Sequence, residues 1–314
     1  MRLFTKGITQ ALALLFLFLV LPDGAEAGPV RVEGSSEHVL RIPASGEKIR
    51  ILVWQPSLAP PAEGFPVVYT FDGDRNFGLF SDNGRALEFR AKRTGRYPAV
   101  VVGIGYPAGE YSLKRRNYDL TPPAAEYEMP PRPNGLPWPE MGGGDDFLDA
   151  VEQVIKPFVR AHYPVNAGRE ALFGHSFGGM MVLHALFNRS DSYDTYIAAS
   201  PSIWFNGKAI LGDARTFLER PGSADQKPLN LLMMVGGNEQ TLAVWEKADG
   251  KQLEQREKWL ANNRMVDNAR DLAALIRRKE NSGIDLEFEI VGGEGHGSVV
   301  PIAVYRGLWY AIRH

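Results

Sequence analysis

The chain has 314 residues, a formal net charge of −2 at pH 7 and no cysteine. This length suits one large α/β domain with an insertion better than two small domains. The near-neutral charge argues against a nucleic-acid or anionic-membrane partner. The lack of cysteine excludes disulfides, a cysteine metal site and a thiol nucleophile.

Residues 1–27 have the composition of a signal peptide. A basic start precedes a leucine-rich centre at 11–21, and the stretch AEA at 25–27 offers a cleavage site. The apolar centre is shorter than the roughly 20 residues that cross a membrane, so an uncleaved anchor is the weaker alternative. The sequence therefore predicts a periplasmic or secreted protein that has no membrane attachment after cleavage, with 28–314 as one domain.

Short β-branched or aromatic runs then alternate with longer amphipathic stretches. This alternation predicts an α/β fold, in which helices cover a mostly parallel central sheet. The strands are predicted at 48–56, 66–72, 98–105, 170–176, 194–200, 230–237 and 285–293. The helices are predicted at 76–92, 145–162, 177–189, 207–219, 241–279 (broken) and 298–312.

Residues 106–144 interrupt this alternation, because they are rich in proline and glycine and show no period. Long ordered loops inside a compact domain are uncommon and often functional. We interpret the segment as an insertion over the active-site face, where the parallel strands end. A surface loop without a function is the alternative.

The stretch GHSFG fits Gly-x-Ser-x-Gly and lies between a predicted strand and a predicted helix. In that context the motif is a nucleophile elbow with Ser176 at the sharp turn, the alternative being an ordinary glycine turn with a capping serine. Gly174 and Gly178 would relieve crowding, and Gly179 would let the helix approach the sheet. The backbone N–H of Phe177 would donate to a developing oxyanion.

A serine hydroxyl needs a base, and in this fold the base is a histidine late in the chain. Among six histidines, His296 follows the last predicted strand in the glycine-rich loop VGGEGHGS. Parallel strands end on one face of the sheet, so this loop should meet Ser176. His175, the neighbour of the serine, is predicted to bind substrate.

The third group should be a carboxylate that orients the imidazole and follows the preceding strand. Glu239 in LLMMVGGNEQ fits this place, with Asp249 and Asp267 as weaker candidates. A carboxylate attracted to a helix start would give the same pattern. A Ser-His dyad without an effective acid is the further alternative.

The fold takes its second oxyanion donor from the loop after VVYTF, which reads DGDRNF. The candidate is the backbone N–H of Gly73 or Asp74. Arg75 in the same turn is predicted to bind substrate, with a packing or a solvated arginine as alternatives. The sequence has no metal-ligand motif and no phosphate loop, so we expect no metal and no organic cofactor.

Six stretches in this order resemble the branch of the α/β-hydrolase superfamily that includes esterase D, feruloyl esterases, mycolyltransferases and enterochelin esterases. They are VVYTFDGDRNF, VVGIGYP, RRNYDLTP, ALFGHSFGGMMVLHALF, AASPSIWFN and EGHGSVVP. The likeness is greatest to periplasmic esterases that linearise siderophore trilactones. It implies an α/β-hydrolase fold and hydrolysis of carboxylic esters, with Ser176 as nucleophile and His296 as base.

The resemblance also implies that Arg116, in RRNYDLTP, lies beside a catecholate-bearing substrate. An Arg116 to Asp119 salt bridge inside the insertion is the alternative. Trp204 and Phe205, in PSIWF, are expected at the pocket wall, where a ring can stack on an aromatic acyl group, although core packing would also explain them.

The expected partner is therefore a small-molecule ester, with a ferric siderophore among the candidates. A general or feruloyl-type esterase and an acyltransferase are alternatives within the same chemistry. A siderophore binder without catalysis is a further alternative, because a fold does not fix a function.

Overall fold

The structure is a computed structural model that describes residues 28, 31–107, 113–132, 134–220, 229–242 and 250–314. Contacts divide the chain into two units, Met1–Arg31 and Val32–His314. The predicted signal peptide lies outside the described residues. Within the residues that are described, no helix is both long enough and apolar enough to cross a membrane.

Eight strands in the described part of the second unit form one sheet. They are β1 (Ser35–Arg41), β2 (Lys48–Trp54), β3 (Phe65–Thr70), β4 (Val100–Gly105), β5 (Val165–His175), β6 (Thr195–Ala199), β7 (Leu229–Gly236) and β8 (Ile284–Val291). Their order across the sheet is β1-β2-β4-β3-β5-β6-β7-β8. The pairs β1–β2 and β2–β4 are antiparallel, and all other pairs are parallel.

The helices lie on both faces of this sheet. They are α1 (Gly73–Thr94), α2 (Leu113–Asp119), α3 (Gly144–Ala150), α4 (Lys156–His162), α5 (Phe177–Asn188), α6 (Ile210–Glu219), α7 (Gly250–Asn263), α8 (Met265–Arg278) and α9 (Val299–Arg313). A π-helical turn, Val151–Ile155, joins α3 to α4. Helices α1 and α9 pack on one face of the sheet, and α3 to α6 with α8 pack on the other.

Coverage on both faces explains the apolar strands, because a parallel strand between two helical layers has no solvent side. All six residues of β3 and all six of β4 are buried. The strand order and the helix placement confirm the predicted α/β-hydrolase fold. The carboxyl ends of β3, β5, β6, β7 and β8 meet at one edge of the sheet.

Two elements were not among the predicted ones. Strand β1 at the sheet edge alternates exposed and half-buried positions, so its sequence lacks an apolar run. Helix α2 lies inside the 106–144 segment, which was predicted to have no regular structure. The predicted break between 241 and 279 is confirmed, because Arg264 between α7 and α8 has a left-handed φ of 45°.

Candidate active site

Ser176 lies at the turn between β5 and α5 and has a strained backbone, with φ 62° and ψ −119°. A Cβ on Gly174 would come within 2.2 Å of the Gly178 carbonyl oxygen, so the turn needs glycine at position 174. A Cβ on Gly179 would lie 2.7 Å from the Ala199 carbonyl oxygen, which confirms the close approach of α5 to the sheet. At Gly178 an added Cβ would make ordinary contacts of 3.5 Å or more, so the expected crowding there is wrong.

The structure brings together the predicted serine, histidine and acid. His296 Nδ1 lies 2.6 Å from Glu239 Oε2, and His296 Nε2 lies 3.0 Å from Ser176 Oγ. A carboxylate can only accept, so the Nδ1–H donates to Glu239. Nε2 is then free of a proton and accepts the hydroxyl of Ser176, which is the arrangement that a general base requires.

Glu239 is 2 % exposed, yet every strong contact it makes favours its ionised form. Its Oε1 accepts the Ser200 hydroxyl and, at 2.6 Å, the backbone N–H of Gly236. Burial alone would raise the pKa of the Glu239 carboxyl, but the hydrogen bond and charge of His296, with the Ser200 and Gly236 bonds, hold this pKa below its usual range. A buried carboxylate facing an imidazole stabilises the imidazolium that forms when serine is deprotonated.

The weaker candidates for the acid do not share this position. Asp267 accepts a hydrogen bond of 2.6 Å from Gln240 Nε2 at the start of α8, and it forms ion pairs with Arg264 and Arg270. Asp249 lies outside the described residues.

The predicted oxyanion donors lie at two helix starts. Phe177 is the first residue of α5, and Gly73 and Asp74 begin α1, where backbone N–H groups have no acceptor within the helix. The loop after β3 also abuts the elbow, since a Cβ on Gly178 would lie 3.5 Å from Phe71 Cβ. The oxyanion roles themselves stay predictions.

A second hydroxyl, that of Ser202, reaches the nucleophile. Ser202 Oγ lies 3.4 Å from Ser176 Oγ, and its backbone N–H donates to the Ser176 carbonyl at 3.1 Å. Ser176 donates its own proton to His296, so the Ser202 hydroxyl is the donor in this pair. The loop after β6 therefore fixes both the side chain and the main chain of the elbow.

Arg116 is buried and bonded to Asp72, at the end of β3. Its Nε and Nη2 donate to the two Asp72 oxygens at 2.5 and 2.7 Å, and Nη2 also lies 3.5 Å from the His175 carbonyl oxygen. The alternative pairing with Asp119 is wrong, because Asp119 accepts from Arg115 and Tyr106 instead. Contact between Arg116 and substrate stays a prediction.

Two further predicted residues lie in the first turn of α1. Arg75 is exposed there, and its substrate-binding role stays a prediction. The Asp74 carboxylate accepts Arg50 Nη1 at 2.8 Å and the backbone N–H of Tyr106 at 2.9 Å. These bonds fix the turn whose N–H groups are the second oxyanion candidates.

Four aromatic side chains, Phe177, Trp204, Trp138 and Trp259, lie beside the elbow, and we call them the aromatic wall. The Phe177 ring is 5.8 Å from Trp204 and 6.4 Å from Trp138, between centroids. Trp259 on α7 is 5.5 Å from Trp204 and 6.3 Å from Trp138. The three tryptophans are half-buried, so each leaves part of its ring surface uncovered.

The two residues predicted from PSIWF to lie at the pocket wall have different positions in the structure. Trp204 belongs to the wall, whereas Phe205 is buried against Phe177 and Tyr127 and is a core residue. Trp138 comes from the 106–144 insertion, where its Nε1–H donates to the Pro130 carbonyl at 2.8 Å. The insertion therefore reaches the active-site face, as predicted.

The side chain of His175 forms a hydrogen bond within the protein through its Nε2 atom. Its Nε2–H donates to the His296 carbonyl at 2.8 Å, and the two imidazole rings lie 4.5 Å apart. Burial and the neighbouring His296 lower the pKa of His175 to about 3, so its imidazole is neutral at physiological pH. Its Nε2 is therefore engaged within the protein, and the predicted contact between His175 and substrate stays a prediction.

Sequence reasoning missed Trp138, Trp259, Ser200 and Ser202. The two serines follow β6 directly, and the rule that parallel strands end together could have found them. The two tryptophans belong to segments far from the elbow in sequence, and no local pattern marks them. Within the described residues, no three histidine, aspartate or glutamate side chains are grouped to hold a metal ion.

Comparison with known protein families gives one match that spans most of the domain. The model of the family described as "Putative esterase" matches residues 42–279. The chain belongs to this esterase family. The esterase is thus a hydrolase that acts on ester bonds, and the family resemblance read from its motifs is confirmed.

Individual relatives of the esterase support the same assignment. It is 34% identical over 290 residues to the ferri-bacillibactin esterase BesA of Bacillus subtilis, which covers 92% of this chain and 93% of that protein. It is 36% identical over 264 residues to a siderophore enterobactin esterase of Emericella nidulans, covering 82% and 86% of the two chains.

A solved structure resembles the esterase along nearly all of its length. The siderophore hydrolase EstA from Aspergillus nidulans superposes with a TM-score of 0.80 at 31% identity, covering 92% of this chain and 97% of that one.

Proposed function

We propose that this esterase hydrolyses a siderophore ester through an acyl-enzyme formed on Ser176. His296 takes the Ser176 proton as the hydroxyl attacks the ester carbonyl, and Glu239 stabilises the resulting imidazolium. The imidazolium then gives its proton to the leaving alcohol. Water, deprotonated by His296, releases the acid in the second step.

One observation carries this proposal: the continuous chain of hydrogen bonds from Ser176 through His296 to Glu239, at 3.0 and 2.6 Å. The chain requires the Nδ1–H tautomer of His296, which leaves Nε2 ready to accept a proton. This geometry supports a triad over a dyad in which the acid is misplaced. The backbone N–H of Phe177, with that of Gly73 or Asp74, would stabilise the tetrahedral oxyanion.

The aromatic wall supports a substrate that carries an aromatic group on its acyl side. Phe177 directly follows the nucleophile, so an acyl group bonded to Ser176 would lie close to Trp138 and Trp204. Aromatic rings stack on such surfaces with a preference beyond their area alone. A catecholate trilactone meets this requirement, and the siderophore names of the relatives point to the same substrate class.

Export is the second part of the proposal. The basic start, the short apolar centre and the small residues at 25–27 are typical of a cleaved signal peptide. The esterase would then act in the periplasm or outside the cell, on a siderophore that has not yet entered the cytoplasm. Expression with and without residues 1–27, followed by cell fractionation, tests this location.

A substrate panel tests the activity. Purified chain 28–314 and its Ser176→Ala variant are incubated with p-nitrophenyl butyrate, methyl ferulate, and a catecholate trilactone with and without iron. We expect the trilactone to give the highest kcat/KM and the Ser176→Ala variant to retain no measurable turnover. The two trilactone arms show whether iron must be bound.

Each other outcome has a defined meaning. Faster turnover of p-nitrophenyl butyrate than of any aromatic acyl ester would make the protein a general esterase. Binding of the trilactone with no cleavage by either protein would indicate a binder on a hydrolase scaffold. Equal cleavage by both proteins would overturn the role of Ser176.

A further inference from the structure

The loop that carries His296 has few side chains to hold it. Gly292, Gly293, Gly295 and Gly297 surround the histidine, and a Cβ added at any of them would meet no described atom within 4 Å. Glycine backbones have a wide range of accessible conformations, and Gly293 uses a positive φ of 80°. The position of this loop therefore depends on hydrogen bonds to its main chain.

The imidazole of His296 is itself loosely packed, because 40% of its side chain is exposed, against 1% for Glu239. Its bonds to Ser176 and Glu239 act at the two ring nitrogens. They set the orientation of the ring once the loop is in place. They do not hold the main chain from which the ring projects.

Hydrogen bonds to the main chain hold the loop at three places. Asn238 fixes its first half, since its backbone N–H donates to the Glu294 carbonyl at 2.8 Å and its Nδ2 donates to the Gly293 carbonyl at 2.9 Å. His175 holds the histidine residue, through the 2.8 Å bond from Nε2–H to the His296 carbonyl. At the end of the loop, the Gly295 N–H donates to Ser298 Oγ at 3.0 Å, and the Gly295 carbonyl accepts the Val299 N–H at 3.1 Å.

We propose that His175 is a positioning residue, which holds the main chain of His296 so that the imidazole stays in line with Ser176. The inference rests on the proposed function, since it assigns His296 as the base of that reaction. It differs from the substrate-binding role that the sequence predicts for His175.

The origin of His175 makes it suited to this task. His175 is the last residue of β5, a strand with parallel partners on both sides, and it aligns with Ala199 of β6. Ser176 follows it directly, so two consecutive residues hold His296, one at the ring and one at the carbonyl. The end of β5 therefore sets the positions of both Ser176 Oγ and His296 Nε2, and with them the distance between these two atoms.

The chemistry of the imidazole at position 175 also fits. A positive charge on a ring 4.5 Å from that of His296 would oppose the imidazolium that forms during catalysis. The pKa of His175, lowered to about 3 by burial and by His296, keeps it a neutral N–H donor across the working pH range. A lysine or arginine at this place would donate the same bond but would add the opposing charge.

Two variants separate the hydrogen bond from simple packing. Glutamine places an amide N–H at about the same reach from the backbone as the imidazole Nε2, whereas leucine fills similar space without a donor. We expect His175→Leu to lower kcat roughly ten- to a hundredfold with little change in KM, because a base displaced by a fraction of an ångström loses its alignment. His175→Gln should recover most of this loss.

A second readout reports the position of His296 without turnover. The Nδ1–H proton between His296 and Glu239 should give a far-downfield proton NMR signal in the wild type and in His175→Gln. In His175→Leu this signal should broaden or disappear, because the ring is no longer held in one place. His184→Leu serves as the control, since it removes a buried histidine of α5 that contacts Asp145 and not the loop.

The inference is overturned if folded His175→Leu keeps kcat within about twofold of the wild type and retains the downfield signal, or if His175→Gln is as slow as His175→Leu. Where the leucine variant does not fold, His175→Asn replaces it, because asparagine is polar but too short to reach the carbonyl. Activity that survives in Ser176→Ala would instead refute the proposed function, whatever the His175 variants do.

Discussion

A buried carboxylate lies in the middle of strand β5 and another lies beside its carboxyl end, and the two have different partners. In the middle of β5, Glu170 is 2 % exposed and accepts Arg160 Nε and Nη2 at 2.9 and 2.7 Å. Lys156, fully buried, lies 3.1 Å from the same carboxylate and donates to the Ser192 carbonyl at 2.5 Å. We call these three charged residues the ion cluster.

Beside the carboxyl end of β5, Glu239 from the loop after β7 is equally buried, but its main partner is an imidazole that is 40% exposed. The ion cluster therefore surrounds its carboxylate with permanent cations, whereas the active site gives its carboxylate a partner that gains and loses a proton. Burial of a carboxylate therefore does not by itself mark a catalytic acid. A catalytic acid is marked by a partner that can gain and lose a proton and that is accessible to solvent.

The largest effect is expected from Glu239→Gln. The amide can no longer stabilise the imidazolium and favours the wrong tautomer of His296, so kcat should fall roughly 10³- to 10⁴-fold. Steady-state kinetics on p-nitrophenyl butyrate and on the trilactone measure this loss. A fall of less than tenfold would mean that the site works as a dyad.

The same substitution at the other carboxylate, Glu170→Gln, is the matched comparison. It removes the anion that Lys156 and Arg160 share, although Lys156 keeps Glu152 at 2.7 Å as a carboxylate partner. Breaking a buried ion pair typically lowers the free energy of unfolding by about 3–5 kcal/mol, so we expect a loss of at most this size. Glu170 lies about 20 Å along β5 from Ser176, so kcat of the folded variant should not change. Urea unfolding and kinetics on the same samples test both statements, and a loss of kcat with unchanged stability would contradict them.

A smaller effect is expected at the aromatic wall. Trp259→Ala removes one ring face, so KM for methyl ferulate should rise roughly three- to tenfold while KM for methyl butyrate stays the same. The two esters share their alcohol and differ in the acyl group, so the comparison isolates the acyl side. Trp309→Ala is the control, because Trp309 packs in the layer formed by α1 and α9. An equal change in KM for both esters would mean that the aromatic wall does not recognise the aromatic acyl group.

The part of the molecule that could be predicted is the part with a strong local signal. Seven strands appear as predicted, because the five central ones are buried, largely apolar runs and β2 and β8 alternate apolar with polar residues. Ser176 was found because the elbow imposes glycine nearby. His296 and Glu239 followed from one topological rule, that parallel strands end at the same edge. These residues could be predicted without knowledge of side-chain contacts.

The remainder depends on contacts between distant segments. Arg116 pairs with Asp72 and not with the neighbouring Asp119, because the fold brings α2 onto the end of β3. Trp259 joins Trp138 although 121 positions separate them in the chain. A hydrogen bond such as that of His175 requires the actual path of the His296 loop, which four glycines leave unspecified in sequence.

The most direct test of the central claim is covalent labelling with a fluorophosphonate probe, followed by intact mass and peptide mapping. Such probes react with a serine only when a nearby base activates it. We predict one adduct on Ser176 in the wild type, none in Ser176→Ala, and a labelling rate in His296→Ala that is lower by at least a hundredfold. An unlabelled wild type, or an adduct on another serine, would contradict the Ser176, His296 and Glu239 assignment.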